Sequence, residues 1–403
     1  MASPDSRLQL RKSLSSLFLL LSAATIPLAG AAEPPLTDHS KCGCFLTNGP
    51  ESRFFQYHDF WDFRSQTQYA GVPPVKSTPE ANKLAPFSSK YFSSQIWEKK
   101  WITNFWDNDE HPRPDASTLM TMSRNNVYLE ANREGSDPQT WLTLRTSRLK
   151  DPQTNEEFQT AAEIESFHKV KFASVRMRAR TIGARGATTA LFTYRHADRL
   201  RDVQESDLEV LTRDADTIIH YTNQPGVNDT GDAIEAASNN ITLPGGLRWT
   251  DWAEYRLDWT PGNSTWFVND EQTLQKSFQT PRDDSKITLN AWSDGGKWSG
   301  NMTLGESAYL QVQWLEIVYN STDPAAGKDG GIHKRFVGGF GGRLAGRAEA
   351  KNCTAVCSVD ETPVTGQPVM LWGAGNGRRE MLGGAAGWIP YVLALGFLWV
   401  SGM

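Results

Sequence analysis

Three carboxylates stand at alternate positions in the stretch Glu205-Ser206-Asp207-Leu208-Glu209. Val203-Gln204 precede the stretch and Val210-Leu211 follow it, and this composition favours a β-strand. Because successive side chains of a strand point to opposite faces, Glu205, Asp207 and Glu209 are predicted to share one face. Leu208 then points the other way, so the stretch predicts a strand with one acidic face and one face toward a hydrophobic core.

Like charges at this spacing repel, so at least one of the three acids is expected to keep its proton to unusually high pH. Two glutamates with pKa values pushed apart can act as an ionised nucleophile and a protonated acid in cleavage of a glycosidic bond. The Cα atoms of Glu205 and Glu209 should lie roughly 13 Å apart. Side chains that lean together can reach the carboxyl separation of about 5–5.5 Å that a retaining mechanism uses. A solvated helix surface or turn is the alternative for such a string of acids.

Further strand-like and aromatic motifs lie on both sides of the acidic stretch. They are residues 162–167, 172–180 and 190–194 upstream, and Trp252-Ala253-Glu254-Tyr255, residues 256–262, Trp266-Phe267-Val268-Asn269-Asp270, Leu289-Asn290-Ala291-Trp292 and Trp298-Ser299-Gly300 downstream. In content and order these motifs resemble glycoside hydrolase family 16, a family of retaining β-glucanases and transglycosylases. The resemblance runs from about residue 54 to residue 319.

The resemblance implies a role for each acid. Glu205 corresponds to the nucleophile and Glu209 to the general acid/base, while Asp207 would tune both. It also implies contacts with substrate at a second set of residues: Trp292, Trp298, Tyr221 and Asn223. Ser206 departs from the branched aliphatic residue that the family has at this position. The single residue between Asp207 and Glu209 is the unbulged spacing, which in the family accompanies wall transglycosylases and lichenase-like enzymes.

Short alternating segments separated by Gly, Pro, Asn and Asp run through the middle of the chain, and no long stretch has a helical period. This pattern predicts an all-β protein with an antiparallel sandwich. The resemblance makes it a concanavalin A-like β-jelly roll with the substrate in a concave cleft. The chain has 15 tryptophans, a content that suits a cleft for sugars as well as an ordinary aromatic core.

The amino end has the composition of a targeting signal. Arg7, Arg11 and Lys12 precede an apolar run, and Ala29-Gly30-Ala31 offers a cleavage site between small residues. Residues 1–31 are therefore predicted to be a secretory signal peptide.

The last residues of the sequence, 381–403, form an uncharged and mostly apolar segment. Small residues and then Arg378 and Arg379 precede it. This order favours a GPI-attachment signal over residues 376–403, to be removed on attachment to the plasma membrane. A membrane-spanning tail anchor is the alternative. Between the two signals we predict an amino-terminal arm at 32–53, the catalytic domain at 54–320 and a flexible Gly/Ala-rich stalk at 321–375.

Four cysteines lie at the edges of the predicted domain: Cys42, Cys44, Cys353 and Cys357. In a secreted chain an even number of cysteines predicts disulfides, and three pairings are open. We favour pairing across the two ends, since a Cys42–Cys44 bridge would close a very tight ring. A zinc site is the alternative, although the spacing is poor for one.

Six sequons predict N-glycosylation in a secreted chain: Asn228, Asn240, Asn263, Asn301, Asn320 and Asn352. Asp214 and Asp216 are interpreted as a solvated turn, with a calcium site as the alternative. The net charge of −5 and the lack of long basic runs argue against a nucleic-acid partner. No metal or cofactor is expected, and the protein is expected to be a monomer.

Together these features favour a secreted, GPI-anchored glycosidase or transglycosidase that acts on β-glucan of a cell wall. Hydrolysis and transfer are both open, as is the glucan linkage. The contrasting hypothesis is a non-catalytic β-glucan-binding surface protein. Such a protein would tolerate the loss of an acid, so the presence of all three favours the enzyme.

Overall fold

Strands make up most of the regular structure in the computed structural model, which describes residues 36–108, 113, 115–323 and 353–373. The predicted signal peptide, the predicted GPI signal, much of the predicted stalk and Asn352 lie outside these residues. Within them, no helix is long and apolar enough to cross a membrane. The two α-helices are short: α1 (Pro79–Lys83) and α2 (Gln95–Glu98).

The strands of the described residues are β1 (Cys44–Leu46), β2 (Phe54–Phe55), β3 (Tyr57–Asp62), β4 (Trp101–Thr103), β5 (Leu119–Met122), β6 (Val127–Ala131), β7 (Thr140–Lys150), β8 (Glu157–Ser166), β9 (Ala173–Gly183), β10 (Thr188–Arg195), β11 (Gln204–Leu211), β12 (Ile218–Gln224), β13 (Ser238–Thr242), β14 (Ala253–Thr260), β15 (Asn263–Val268), β16 (Glu271–Lys276), β17 (Lys286–Trp292), β18 (Ser307–Tyr319), β19 (Val356–Ser358) and β20 (Val369–Trp372).

Most strands belong to one long hydrogen-bonded path. Its order is β13-β12-β11-β10-β17-β8-β7-β18-β9-β14-β15-β16, with β3, β4, β5 and β6 paired alongside. Within β8, residues 162–165 pair with β17, whereas residues 157–160 pair with β7. One half of β8 therefore belongs to the layer of β10–β13, and the other half to the layer of β7, β18 and β9.

A single hydrophobic core lies between the two layers. It contains Leu208 and Leu289 from the first layer together with Val175, Leu257 and Val312 from the second. The pairs along the path are antiparallel, while the side pair of β5 with β8 is parallel. The predicted all-β antiparallel jelly-roll sandwich is confirmed.

A second, four-stranded sheet joins segments from the two ends of the described chain in the order β2-β1-β19-β20. Disulfides join Cys42 to Cys357 and Cys44 to Cys353, so the predicted pairing across the ends is confirmed. Residues 353–373 fall inside the predicted flexible stalk, and for them that prediction is wrong. Val356 and Cys357 are fully buried, and β19 pairs in parallel with β1.

A buried group of charges holds this small sheet against the second layer of the sandwich. Asp360 accepts hydrogen bonds from Arg176 on β9 and from Arg256 on β14. The backbone N–H of Asn48 donates to the other carboxylate oxygen at 2.7 Å. Burial alone would raise the pKa of Asp360, but the two guanidinium groups hold it below its usual range. Asp360 is therefore ionised and fully paired at neutral pH.

Candidate active site

The three acids of β11 lie side by side on the face that points away from the hydrophobic core. Asp207 and Glu209 are 2% and 8% exposed, and Glu205 is half-buried. Leu208 and Val210, between and beyond them, are buried in the core. Acidic and apolar side chains alternate along this strand as the sequence predicts. The alternation places three carboxyl groups next to one another on one face of the sheet.

Neutral donors from neighbouring elements contact two of the acids. The indole Nε1–H of Trp298 donates to Glu209 Oε1 at 3.2 Å. The side-chain amide of Gln224, directly across from Glu205 on β12, donates to Asp207 Oδ2 at 3.0 Å. Hydrogen bonds from neutral groups stabilise a carboxylate without adding a counter-charge.

Burial is the largest influence on all three acids, and it raises each pKa. For Glu205, a hydrogen bond from Asp207 opposes this rise, whereas the charge of Glu209 adds to it. The pKa of Asp207 is raised well above its usual range by burial and then by the charges of both glutamates. For Glu209, the Trp298 hydrogen bond and the charge of Arg113 partly offset the effect of burial. These effects favour the protonated form of Asp207, whose carboxyl group can then donate a hydrogen bond to Glu205.

The face of the sheet that carries the three acids of β11, called the acid face below, continues across β10, β17 and β8. Strand register places Tyr194 and Phe192 of β10 beside Glu205 and Asp207, and Asn290 of β17 follows on the same face. Glu163 of β8 lies opposite Asn290. Three strand spacings separate Glu163 from β11, or roughly 14 Å. This width of polar floor is enough for several sugar units.

Glu163 is a fourth acid on this floor that sequence reasoning missed. Its carboxylate accepts hydrogen bonds from the amides of Asn104 at 2.7 Å and Asn290 at 3.2 Å. Burial raises its pKa, and these amides and Trp106 counteract the rise. The signal in the sequence was a glutamate between two apolar residues, Ala162-Glu163-Ile164, in a strand-like segment.

Tryptophans border the floor. Trp298 contacts Glu209 as described. Trp292, predicted with it, lies on the same face of β17, where it packs on Met120 and Met122 and has the Arg113 guanidinium 5.1 Å from its ring centroid. Trp106, which sequence reasoning missed, is 43% exposed beside Glu163.

Tyr221 and Asn223 do not belong to this face. They pair with Leu208 and Ser206, the core-facing residues of β11. Tyr221 is fully buried and stacks on Trp266 at 5.0 Å. The prediction that these two residues contact substrate is therefore wrong, because β12 presents His220, Thr222 and Gln224 to the acid face instead.

The unusual Ser206 has a partner in the core. Its hydroxyl donates to Asn223 Oδ1 at 2.6 Å and lies 2.7 Å from the hydroxyl of Ser264. The Asn223 amide donates in turn to the carbonyl of Phe278 at 2.8 Å. Each buried polar group is thereby satisfied, so the core side of β11 tolerates a serine.

Asp214 and Asp216 are occupied by protein partners. Asp214 contacts His220 at 2.8 Å, and Asp216 lies 3.5 Å from Arg248. Among the described residues, no group of three or more His, Cys, Asp or Glu side chains is arranged to hold a metal ion.

The five described sequon asparagines differ in exposure. Asn228, Asn240 and Asn301 are exposed, whereas Asn263 and Asn320 are half-buried. Asn320 Oδ1 accepts a hydrogen bond from the backbone N–H of Gln56 at 2.9 Å. Asn240 pairs with His220 across β12 and β13, so it lies on the acid face.

Comparison with known proteins gives the family. Residues 115–315 match the family model of glycosyl hydrolases family 16. This part of the chain is a glycoside hydrolase family 16 domain. The matched residues include β11 and its neighbours on the acid face, β8, β10, β12 and β17, so the site lies inside the family 16 domain.

Two curated relatives are similar over part of the chain. A beta-glucanase of Paenibacillus polymyxa is 24% identical over 139 residues, which cover 34% of this chain and 54% of the relative. The Crh-like protein 2 of Aspergillus fumigatus is 27% identical over 115 residues, covering 22% of this chain and 26% of the relative. The chain thus spans about half the length of the bacterial relative and a quarter of the fungal one.

Two solved structures of glucanases are also similar. A Bacillus licheniformis beta-glucanase aligns with a TM-score of 0.43 at 18% identity, over 55% of this chain and 93% of that one. A lichenase from a mouse hindgut metagenome aligns with a TM-score of 0.44 at 17% identity, over 65% of this chain and 98% of that one.

Proposed function

We propose that the protein is a retaining glycosidase that cleaves β-glucan chains through a glycosyl-enzyme on Glu205. The observation that carries this proposal is the row of three carboxyl groups on one face of β11, where half-buried Glu205 and buried Glu209 flank buried Asp207. The names of the bacterial relatives support β-glucan as the substrate class.

In the first step, a carboxylate oxygen of Glu205 attacks the anomeric carbon while the bond from that carbon to the leaving oxygen breaks. Glu209 gives its proton to the leaving oxygen. The Asp207 proton stays hydrogen-bonded to Glu205 and lowers the basicity of that carboxylate, which eases its later departure.

In the second step, Glu209 is a carboxylate and accepts a proton from water or from a sugar hydroxyl. The oxygen so activated attacks the anomeric carbon and releases Glu205. Two inversions give net retention. Trp292, Trp298 and the exposed Trp106 supply aromatic surface against which pyranose rings can pack.

The experiment is azide rescue of two alanine variants. Without Glu205, azide attacks an activated α-glycosyl fluoride or β-aryl glucoside directly, so Glu205→Ala should give a glycosyl azide of inverted configuration at the anomeric carbon. Glu209→Ala still forms the glycosyl-enzyme from a substrate with a good leaving group, so azide should give the retained product. Product configuration is read by NMR.

Glu271→Ala serves as the control, because this exposed glutamate of β16 lies in the other layer of the sandwich. It should keep full activity. Full activity of either Glu205→Ala or Glu209→Ala on unmodified β-glucan, with an intact fold, would reject the proposal.

A further inference from the structure

His220 is a buried polar residue on the acid face for which the mechanism above has no role. It is 4% exposed and lies directly across from Glu209 on β12. Its Nε2 is 2.8 Å from Asp214 Oδ2. A carboxylate at this distance makes Nε2 the protonated ring nitrogen and fixes the plane of the imidazole.

The fixed ring of His220 packs against Trp298. The two ring centroids are 5.5 Å apart with an interplanar angle of 70°, an edge-to-face contact. Trp298 is the residue whose indole N–H donates to Glu209 Oε1 at 3.2 Å. A continuous set of contacts therefore leads from Asp214 through His220 and Trp298 to Glu209.

The turn after β11 also holds the backbone beside Trp298. Arg213 donates a hydrogen bond to the carbonyl of Lys297, the residue before Trp298. The Arg213 Nε atom lies 3.8 Å from Asp214 Oδ1. Two adjacent residues of this turn, Arg213 and Asp214, thus fix the position of His220 relative to the loop that carries Trp298.

We propose that His220, anchored by Asp214, is a positioning residue for Glu209 that acts through the Trp298 indole. The proposal rests on the proposed role of Glu209 as general acid/base. An indole N–H stabilises the carboxylate form, so a correctly placed Trp298 keeps Glu209 from holding its proton too tightly when it protonates the leaving oxygen in the first step.

His220 acts on Glu209 through its position and not through a charge of its own. The charged or titratable groups that face it or its supports are Glu205, Asp207, Arg113, Arg213 and Asp214. Burial lowers the pKa of His220, and the hydrogen bond that His220 donates to Asp214 only partly opposes this. The imidazole therefore stays neutral around pH 7 and acts on Glu209 by placing a donor.

The test is the pH dependence of kcat/KM on a soluble β-glucan oligosaccharide, measured with the full chain. Trp298→Phe keeps a ring but removes the N–H, so the basic limb, which reports the acid/base, should move up by about one pH unit. His220→Phe keeps a ring but cannot bond to Asp214, and His220→Gln keeps an N–H but no ring. Both should move the limb in the same direction by a smaller amount.

A double variant and a control complete the test. Trp298→Phe combined with His220→Phe should show no shift beyond that of Trp298→Phe alone, because both changes act through one N–H. His168→Phe breaks a similar His–Asp pair, 2.7 Å from Asp323 and outside the site, and should leave the limb in place.

Additive shifts in the double variant, or a basic limb that stays in place in both folded His220 variants while kcat/KM falls, would overturn the positioning role. These outcomes are distinct from failure of the proposed function, which would appear as full activity of Glu209→Ala. If His220→Phe does not fold, as judged by circular dichroism, the His220→Gln profile decides the matter by the same criterion.

Discussion

At the scale of single residues, the acid face shows how three carboxyls can share a water-poor surface. One neutral donor serves each of them: Gln224 for Asp207, Trp298 for Glu209, and protonated Asp207 for Glu205. The sheet therefore carries at most two negative charges here around neutral pH, and neither depends on a salt bridge that a substrate would have to displace.

Asp207 offers a test in which the sign of the shift is informative. If Asp207 is protonated, Asp207→Ala removes a donor to Glu205, raises the pKa of Glu205 and moves the acidic limb of kcat/KM up by about one pH unit. Asp207→Asn keeps a donor and should move the limb less. A downward shift in Asp207→Ala would contradict the assignment, since it would mean that an anion had been removed.

Trp106 offers a test of the floor beyond β8. Trp106→Ala should raise KM for long glucans about five-fold, the effect of losing about 1 kcal/mol of stacking, and should change kcat little. Phe105→Ala is the matched control, because Phe105 is equally exposed at 47% but stacks on Arg124. Equal effects of the two substitutions would argue against a sugar contact at Trp106.

The sequence alone predicts which side chains of β11 face the core and which form the acid face. It does not predict this for β12. On β11 the acids themselves mark one face, and apolar residues mark the other. On β12 polar residues occupy both faces, since Asn223 is satisfied inside the core by Ser206 and by the Phe278 carbonyl. The register of a strand with this composition depends on its pairing with β11, which the local pattern does not contain.

At the scale of elements, the sheet formed by β1, β2, β19 and β20 shows that a segment can be folded by partners far away in the sequence. The predicted stalk was interpreted from its glycine and alanine content, but residues 353–373 contain Val356, Val359 and Val369, all buried. What folds them is the pairing of β19 with β1 and two disulfides to cysteines more than 300 residues away. Such distant partners are not visible in a local composition.

Asp360→Asn should test the attachment of this sheet to the sandwich. Removing the charge leaves Arg176 and Arg256 buried without their shared partner, so unfolding in urea at pH 7 should cost about 3–5 kcal/mol less free energy than in the native protein. Because the pKa of Asp360 is lowered on folding, its contribution is present at neutral pH. This contribution begins to fall as the pH drops below about 4, the pKa of an unfolded aspartate, and the two proteins should converge only below the lower pKa of the folded state.

Asp62→Asn is the control for this prediction. Asp62 also pairs with an arginine, Arg64, but both side chains are about one-third exposed. An exposed pair of this kind contributes about 1 kcal/mol or less. A loss in Asp360→Asn no larger than that in Asp62→Asn would show that the buried charges do not hold the small sheet in place.

At the scale of the whole molecule, the disulfides bear on where the protein works. Two bridges between distant cysteines are typical of proteins that fold in an oxidising compartment. They support our proposal that the chain is secreted. We propose in addition that it reaches the cell surface with a GPI anchor, and the residues that would carry both signals lie outside those described.

A GPI anchor makes a specific prediction about release. Phospholipase C specific for GPI should convert the membrane-bound protein to a soluble form, as judged by partition into detergent. Mass spectrometry of the mature protein should then find no peptide beyond residue 388. Retention of residues 389–403 would favour the membrane-spanning tail instead.

A tethered enzyme is better placed to join polymers beside it than to release sugar, so we expect transfer to compete with hydrolysis. Transfer requires an acceptor hydroxyl to outcompete water for the glycosyl-enzyme, which depends on orientation at the floor beside Glu209. Incubation with a β-glucan donor and a fluorescent oligosaccharide should place label in polymer. Reducing ends that rise one for one with cleavage, and no labelled polymer, would indicate a hydrolase.

The long separation of the paired cysteines also imposes a delay between the synthesis of the first and the last cysteine of each disulfide. Their partners are separated by 315 and 309 residues, and ribosomes add about 5–20 residues per second. The thiols of Cys42 and Cys44 therefore emerge roughly 15 to 60 seconds before the cysteines that they will bind. Only Gly43 separates the two thiols. On the secretory route that we propose, they would meet an oxidising lumen long before their partners are made. We therefore expect correct maturation to require a disulfide isomerase that reopens a premature Cys42–Cys44 bridge.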